Sequence, residues 1–295
     1  MEKNVIVKPF IKWAGGKNQL LNELVKKLPF ENYNNITKYA EPFVGGGAVL
    51  FYILNNYNIK EVYISDINSK LIVTYKMIKK NVDELIIKLE KIQEEYLRLD
   101  ENSRKIYYLE KRKEFNLSNL NDIDIATLFI FLNKTCFNGL YRVNKKGEFN
   151  VPMGKYKKPL ICDRENLKQV SNKLKNVKII CGDYKKSIKF IDSDTFVYFD
   201  PPYRPINITS SFTAYTKDSF TDNEQIELAK YIDKLTEKGA KIMLSNSDPK
   251  NVNKNDTFFD KLYNKYNIFR VKAKRTINSN ASSRGEIYEL VIINY

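Results

Sequence analysis

Asp200, Pro201, Pro202 and Tyr203 place a carboxylate, a backbone carbonyl and an aromatic ring within four residues. The two prolines remove two backbone donors and fix φ, so the Pro201 carbonyl is presented on a stiff, extended chain. A planar heterocycle carrying an exocyclic amine fits this set. Its two N–H groups need two acceptors, which Asp200 and the Pro201 carbonyl can supply, and its ring needs a stacking partner, which Tyr203 can supply. A strand, a proline turn and a surface tyrosine would also account for the tetrapeptide. The preceding run, Thr195-Phe196-Val197-Tyr198-Phe199, is almost wholly apolar and rich in β-branched and aromatic residues. It reads as a strand buried on both faces of a parallel sheet. The acid then stands at that strand's C-terminal end, where open α/β sheets bind their ligands.

The chain of 295 residues has no histidine. That removes Ser-His-Asp and Cys-His nucleophiles, HExxH metalloproteases and His-containing zinc deaminases. Chemistry is left to carboxylates, lysines, tyrosines and backbone groups. The three cysteines, Cys136, Cys162 and Cys181, have neither a metal-site spacing nor a disulfide framework, and a reducing, cytoplasmic setting is expected. No apolar run approaches the roughly 20 residues of a membrane span, and Met1–Asn4 leads into no signal-peptide core. A formal charge of +15, with 20 Tyr and 17 Phe, permits a polyanionic partner with stacking surfaces. Abundant Lys, Asn, Ile and Tyr, as in proteins from AT-rich genomes, offers an alternative source of that charge.

Several elements must position the tetrapeptide. Gly15-Gly16-Lys17 opens a helix expected through Leu28 and can hold an anion, though it lacks the pattern of a P-loop. Lys38–Phe43 reads as a first strand, Val44-Gly45-Gly46-Gly47 as a glycine turn that lets backbone approach a ligand, and the next residues as a helix. Glu61–Asp66 is a second strand. Its terminal Asp66 can accept both ribose hydroxyls of a nucleoside or cap the following helix. From Ser69 to about Leu132 the apolar period is helical, longer than an ordinary βα connection, and reads as an inserted subdomain. Residues 133–163 carry seven basic side chains against Glu148 and Asp163. Within them, Leu140–Val143 and Glu148–Val151 flank Asn144-Lys145-Lys146-Gly147, a hairpin signal. A basic hairpin with Asn138, Arg142 and Tyr156 suits groove reading, and a solvated hairpin is the plainer account. Strands then recur at Val177–Cys181, Ala240–Asn246, Ile268–Ala273 and Ile287–Asn294. Asp183 follows one of them and can meet a nucleobase amine or cap a helix. Arg204–Phe220 is long enough for a lid. Thr221–Glu224 is a capping box. Residues 274–285, with Arg275 and Arg284, form a basic, hydroxyl-rich loop suited to phosphates.

Seven segments occur in order: Lys12-Trp13-Ala14-Gly15-Gly16-Lys17, Glu41-Pro42-Phe43-Val44-Gly45-Gly46-Gly47, Ser65-Asp66-Ile67-Asn68, Phe137-Asn138-Gly139-Leu140-Tyr141-Arg142, Gly147-Glu148-Phe149-Asn150-Val151-Pro152, Asp200-Pro201-Pro202-Tyr203 and Leu244-Ser245-Asn246. Together they resemble the DNA adenine-N6 methyltransferases of the Dam type, from about Phe10 to the C-terminus. The resemblance implies an α/β, Rossmann-like fold with a mixed sheet and an inserted helical and β-hairpin target recognition domain. Residues 1–68 and 164–295 would form the catalytic domain and 69–163 the recognition domain. It implies S-adenosylmethionine as cofactor, with Trp13, Lys17, Phe43, Gly45, Asp66, Asp183 and Asp200 at its site. Asp200, Pro201, Pro202 and Tyr203 would be catalytic. Lys12, Asn138, Leu140, Arg142, Pro152 and Tyr156 match the family's DNA-reading positions. The expected substrate is the adenine of GATC in double-stranded DNA, flipped from the helix, and no metal is implied. Gly47 as a third glycine and Tyr141 are departures from the family pattern. Related chemistry on RNA adenine, cytosine N4 or a glutamine amide, a non-catalytic binding protein and a dehydrogenase are the competing readings.

Overall fold

The computed structural model describes residues 6–13, 15, 17, 20–204, 220–274 and 286–295. Seven strands form one sheet: β1 (Lys38–Glu41), β2 (Glu61–Asp66), β3 (Val177–Cys181), β4 (Thr195–Phe199), β5 (Lys241–Ser247), β6 (Asn267–Lys274) and β7 (Glu286–Ile293). Their order is β3-β2-β1-β4-β5-β7-β6. The first five pair in parallel, β7 runs antiparallel to β5, and β6 antiparallel to β7. This is the mixed, Rossmann-like sheet that the resemblance implied. The chain builds outward from β1 through β2 to β3, then returns to lay β4 on the other side of β1. The order reverses there, so a crevice opens between the C-terminal ends of β1 and β4, the preferred ligand position in such sheets. Glu41 ends β1, and Asp200 follows β4.

Strand residues alternate between two cores, as a period of two requires. Tyr39, Val62, Ile64, Phe196 and Tyr198 face one apolar cluster, while Ala40, Tyr63, Val197 and Phe199 face the other. The second cluster is closed by α8 (Asp222–Glu237) through Leu228, Ile232 and Leu235. Its Thr221–Glu224 capping box is formed. The first is closed by α2 (Ala48–Asn56), α3 (Ser69–Lys80) and α7 (Arg164–Leu174). Among the described residues, no helix is long and apolar enough to cross a membrane.

The helical stretch resolves into α3, α4 (Val82–Arg98), α5 (Glu101–Phe115) and α6 (Asp122–Thr135). Asn68, Asp100 and Asn121 cap α3, α5 and α6 with their side chains. Leu85, Ile86, Leu89, Ile92 and Tyr96 form the buried stripe of α4. Nearly every residue of α6 from Ala126 onward is buried, because α3, α4 and α5 surround it.

Two local expectations change. The first helix, α1, spans only Leu21–Val25. Leu28 precedes a proline and is extended, so the helix cannot continue through it. The hairpin reduces to its turn and one bridge, Val143 to Phe149. Asn144 and Glu148 close it, with Asn144 N donating to the Glu148 carbonyl at 2.8 Å. Asn150 N also donates to the Arg142 carbonyl at 3.1 Å, but Pro152 has no N–H with which to extend the ladder. The segment's other edge turns to α5 and the residue after it. Asn116 bonds both the N–H and the carbonyl of Phe149, and Tyr108 donates to the Val151 carbonyl.

Candidate active site

Asp200 emerges from β4 into the crevice and meets Lys17 from the N-terminal segment. The Lys17 Nζ lies 2.7 Å from Asp200 Oδ1. The same ammonium donates to the Tyr203 hydroxyl at 2.5 Å and to the Gly15 carbonyl at 3.1 Å. Lys17 is only 3% exposed, so this ion pair works in a medium that screens little. The Tyr203 hydroxyl in turn donates to Glu289 Oε2 at 2.5 Å, and Glu289 stands 3.9 Å from Lys17. Burial pushes the Asp200 carboxyl upward from its ordinary range, and Lys17 pulls it back. Burial, then the Asp200 and Glu289 carboxylates, drive the Tyr203 phenol far above its ordinary value. It therefore stays a donor.

The prolines are held from behind. Gln225 on α8 donates to the Pro202 carbonyl at 3.2 Å, and Asn246 on β5 donates to Gln225 at 3.2 Å. Both amides are fully buried. The Leu244-Ser245-Asn246 segment thus supports the tetrapeptide through α8. Arg204 closes the stretch with two bonds to Asp222, at 2.6 and 2.9 Å, and one to Asp256 at 2.6 Å.

Across the crevice, Asp66 accepts from Gly45 N at 3.1 Å and from Asn68 N at 2.9 Å. Burial raises its carboxyl. Asn68, not Asp66, caps α3 by accepting from Leu71 N. That leaves lone pairs of Asp66 available to a ligand. Glu41 is 2% exposed, accepts from the Tyr39 hydroxyl at 2.6 Å, and is pushed up to about 8, chiefly by burial.

The glycine turn has a local reason that the sequence did not show. A Cβ on Gly45 would lie 2.7 Å from Trp13 Cδ1, and one on Gly47 would lie 2.6 Å from the Tyr75 hydroxyl. The turn is bare so that the chain's own aromatic rings can seat on it. Phe43 packs against Tyr184, Phe199 and Phe220. Asp183 is exposed and caps a short 3-10 helix, accepting from Lys185 N at 2.8 Å.

The DNA-reading candidates gather beyond the end of α6. Asn133 brackets the Lys12 backbone, accepting from its N–H at 2.9 Å and donating to its carbonyl at 2.8 Å. The Lys12 ammonium lies 3.4 Å from the Tyr156 hydroxyl and 4.5 Å from its ring centre. Asn138 is exposed with φ 55°, and Gly139 follows at φ 64°. Leu140 is half-buried and Pro152 exposed, its carbonyl accepting from Phe137 N. Arg142 is exposed and bonds Asn150 through Nε at 2.7 Å. Arg275, Arg284 and residues 205–219 of the expected lid, Arg204–Phe220, lie outside the described residues.

The family model for D12 class N6 adenine-specific DNA methyltransferases matches residues 13–277. The chain belongs to that family. It is 56% identical over 294 residues to the Type II methyltransferase M.MjaIII of Methanocaldococcus jannaschii, covering 98% of this chain and 99% of the relative. It is 38% identical to the Type II methyltransferase M1.LlaDCHI of Lactococcus lactis, covering 100% and 98%. It is 35% identical to the DNA adenine methylase of Escherichia coli K12, covering 99% and 96%.

This methyltransferase also contains site residues that its sequence did not announce. Glu289 is one, and its signal was a single acid inside the apolar run Ile287–Ile293. Gln225 is another, a polar residue on the stripe that α8 buries with Leu228 and Ile232. Glu41 stood within a recognised segment, yet its burial against the crevice could not be read from the chain.

Proposed function

We propose that the enzyme transfers a methyl group from S-adenosylmethionine to N6 of adenine in double-stranded DNA, within GATC, after flipping the base from the helix. The observation that carries this is the contact of the buried Lys17 with the part-exposed Asp200 and Tyr203 at the crevice between β1 and β4. The cofactor fits the donor set on that crevice. Asp66 has lone pairs for ribose hydroxyls, and Trp13, Phe43 and Gly45 offer an apolar wall beside it. Lys17, Asp200 and Asp183 complete the set we assign to it. S-adenosylmethionine, when bound, supplies a methyl group on a positively charged sulfur.

Adenine N6 is a poor nucleophile because its lone pair is delocalised into the ring. Asp200 and the Pro201 carbonyl accept its two N–H bonds, drawing the nitrogen toward tetrahedral geometry and stabilising the positive charge it gains. Tyr203 stacks on the extruded base, and Pro202, anchored by Gln225, keeps the acceptors rigid. We assign residues 1–68 and 164–295 to catalysis and cofactor binding, and 69–163 to recognition. Within the latter, Asn138, Leu140, Arg142, Pro152 and Tyr156, joined by Lys12 from the N-terminal segment, would read or flank the site, with Arg142 and Asn138 able to pair with base edges. Arg275 and Arg284 would meet phosphates. The three free cysteines agree with a cytoplasmic setting.

The test is labelled methyl transfer to a GATC duplex, the same duplex scrambled to GTAC, and a matched RNA. Label at adenine N6 in the GATC duplex alone is the expected result. Label in the scrambled duplex would discard the specificity, and label in RNA alone would discard DNA as the substrate.

A further inference from the structure

We propose that Glu289 is a positioning residue for methyl transfer, holding the Tyr203 hydroxyl so that the ring is fixed as a stacking face beside Asp200. This rests on the function proposed above and adds a residue on β7 to it. Glu289 pairs with Ser247 at the C-terminal end of β5 and shares its strand face with Val291 and Ile293, which are buried in the core. A carboxylate on such a face is costly unless it is bonded. Its partners are the Tyr203 hydroxyl at 2.5 Å and the Lys17 ammonium at 3.9 Å.

A phenylalanine at 203 facing an apolar residue at 289 would fill the same space without burying a charge. What the polar pair adds is orientation. The Tyr203 hydroxyl accepts from Lys17 and donates to Glu289, so the ring cannot swing without breaking two short bonds. Lys17 also holds Asp200. The stacking ring and the carboxylate acceptor are thereby set relative to each other through one ammonium, with Glu289 as the outer anchor. Errors of about 1 Å in such a set can cost roughly a hundredfold in rate.

The experiment is a double-mutant cycle on methyl transfer to the GATC duplex, with Glu289→Ala, Tyr203→Phe and both together. Glu289→Ala is expected to lower kcat by about 10- to 100-fold, with KM for DNA and cofactor changing less than about threefold. In the Tyr203→Phe background the same change is expected to cost less than about threefold more, because the hydroxyl it anchors is gone. Glu289→Gln, whose amide oxygen still accepts from the phenol, is expected to restore most of the rate. With 3-fluorotyrosine at position 203, its fluorine resonance should shift in Glu289→Ala without DNA present. Thermal melting of each variant separates positioning from loss of folded protein. Losses that multiply in the double variant, an unmoved fluorine resonance, or a fall in rate that only tracks unfolding would each overturn the inference. If the wild-type chain methylates no DNA, the functional reading fails and takes this one with it. If it methylates GATC and the losses multiply, only the role of Glu289 fails.

Discussion

The rings of Trp13 and Tyr141 stack 5.8 Å apart at 22°. Tyr141 also stacks on Phe129 of α6 at 5.4 Å, and Trp13 rests against Gly45 and Gly46. Burial pushes the Tyr141 phenol up to about 12, and its hydroxyl faces the Asn68 side chain. One ring thus joins the turn proposed to read DNA to the strand end proposed to hold the cofactor. Truncating it to Tyr141→Ala should destabilise the protein by about 2–4 kcal/mol, the usual cost of losing a large packed ring. It should also weaken S-adenosylmethionine binding, because Trp13 loses its backing. Tyr141→Phe keeps the stack and should cost less than about 1.5 kcal/mol. Urea denaturation and calorimetry measure the two effects, and a Tyr141→Ala protein of wild-type stability would make the stack incidental.

The recognition turn should be sensitive at Gly139. Its φ of 64° is strained for any residue with a side chain, and an added Cβ would lie 2.5 Å from Lys12 Cβ. That contact is near the lysine backbone, which Asn133 holds from both sides, so relief is limited. Gly139→Ala should therefore displace Lys12 and its neighbour Tyr156, costing about 1–3 kcal/mol locally. We expect affinity for a GATC duplex to fall by about tenfold or more, while S-adenosylmethionine affinity stays unchanged. Fluorescence anisotropy and calorimetry on the same preparation test this. Equal loss of both affinities would show that the turn and the crevice are not separable.

What was legible in the chain followed from period and punctuation. The apolar run before Asp200 read as a doubly covered strand, and its flanking elements alternated as β and α, so the sheet was readable. Asp66 ends β2, as its place in the chain suggested, whereas Lys17 lies before α1 rather than at its start. Glu289 was not readable, because a strand's period says which face a residue takes but not what waits there. The hairpin was over-read for a related reason. Its turn residues were local, but Pro152 lacks the N–H a longer ladder needs, and the outward groups of Phe149 and Val151 bond Asn116 and Tyr108, which only tertiary packing brings near. The glycine turn was read as room for a ligand, and its missing side chains also clear Trp13 and Tyr75, contacts that the chain's spacing did not reveal.

Glu41 gives a pH dependence of defined sign. Its carboxyl is pushed up to about 8 in the fold, chiefly by burial, against an ordinary value of 4.5. Between those values the unfolded chain releases this proton and the native chain keeps it, so stability falls as pH rises, and levels off above about 8. The contribution is fully present below pH 4.5 and lost through the folded value. Glu41→Gln mimics the neutral carboxyl and cannot ionise. Its stability relative to wild type should therefore rise between pH 5 and 8.5, by roughly 3–5 kcal/mol if the whole shift is expressed. Parallel urea titrations at the two pH values measure it, and a difference that is flat with pH would mean that Glu41 is ionised in the native protein.

Asp200 carries two burdens that can be separated. It is the proposed acceptor for N6, and it is the near counter-charge of Lys17. Asp200→Ala should lower kcat by at least about 10²–10³, the scale of losing one group aimed at developing charge. It should also destabilise the fold by about 2–4 kcal/mol, because Lys17 keeps only Glu289, at 3.9 Å, as a carboxylate partner among the described residues. Adding Lys17→Met removes the stranded ammonium, so the double variant should recover most of the stability. It should recover none of the rate, since neither the acceptor nor the cofactor contact returns. Circular dichroism, thermal melting and labelled transfer on the three variants distinguish the two burdens. Near wild-type turnover in Asp200→Ala would sink the proposed mechanism, whatever the stability showed.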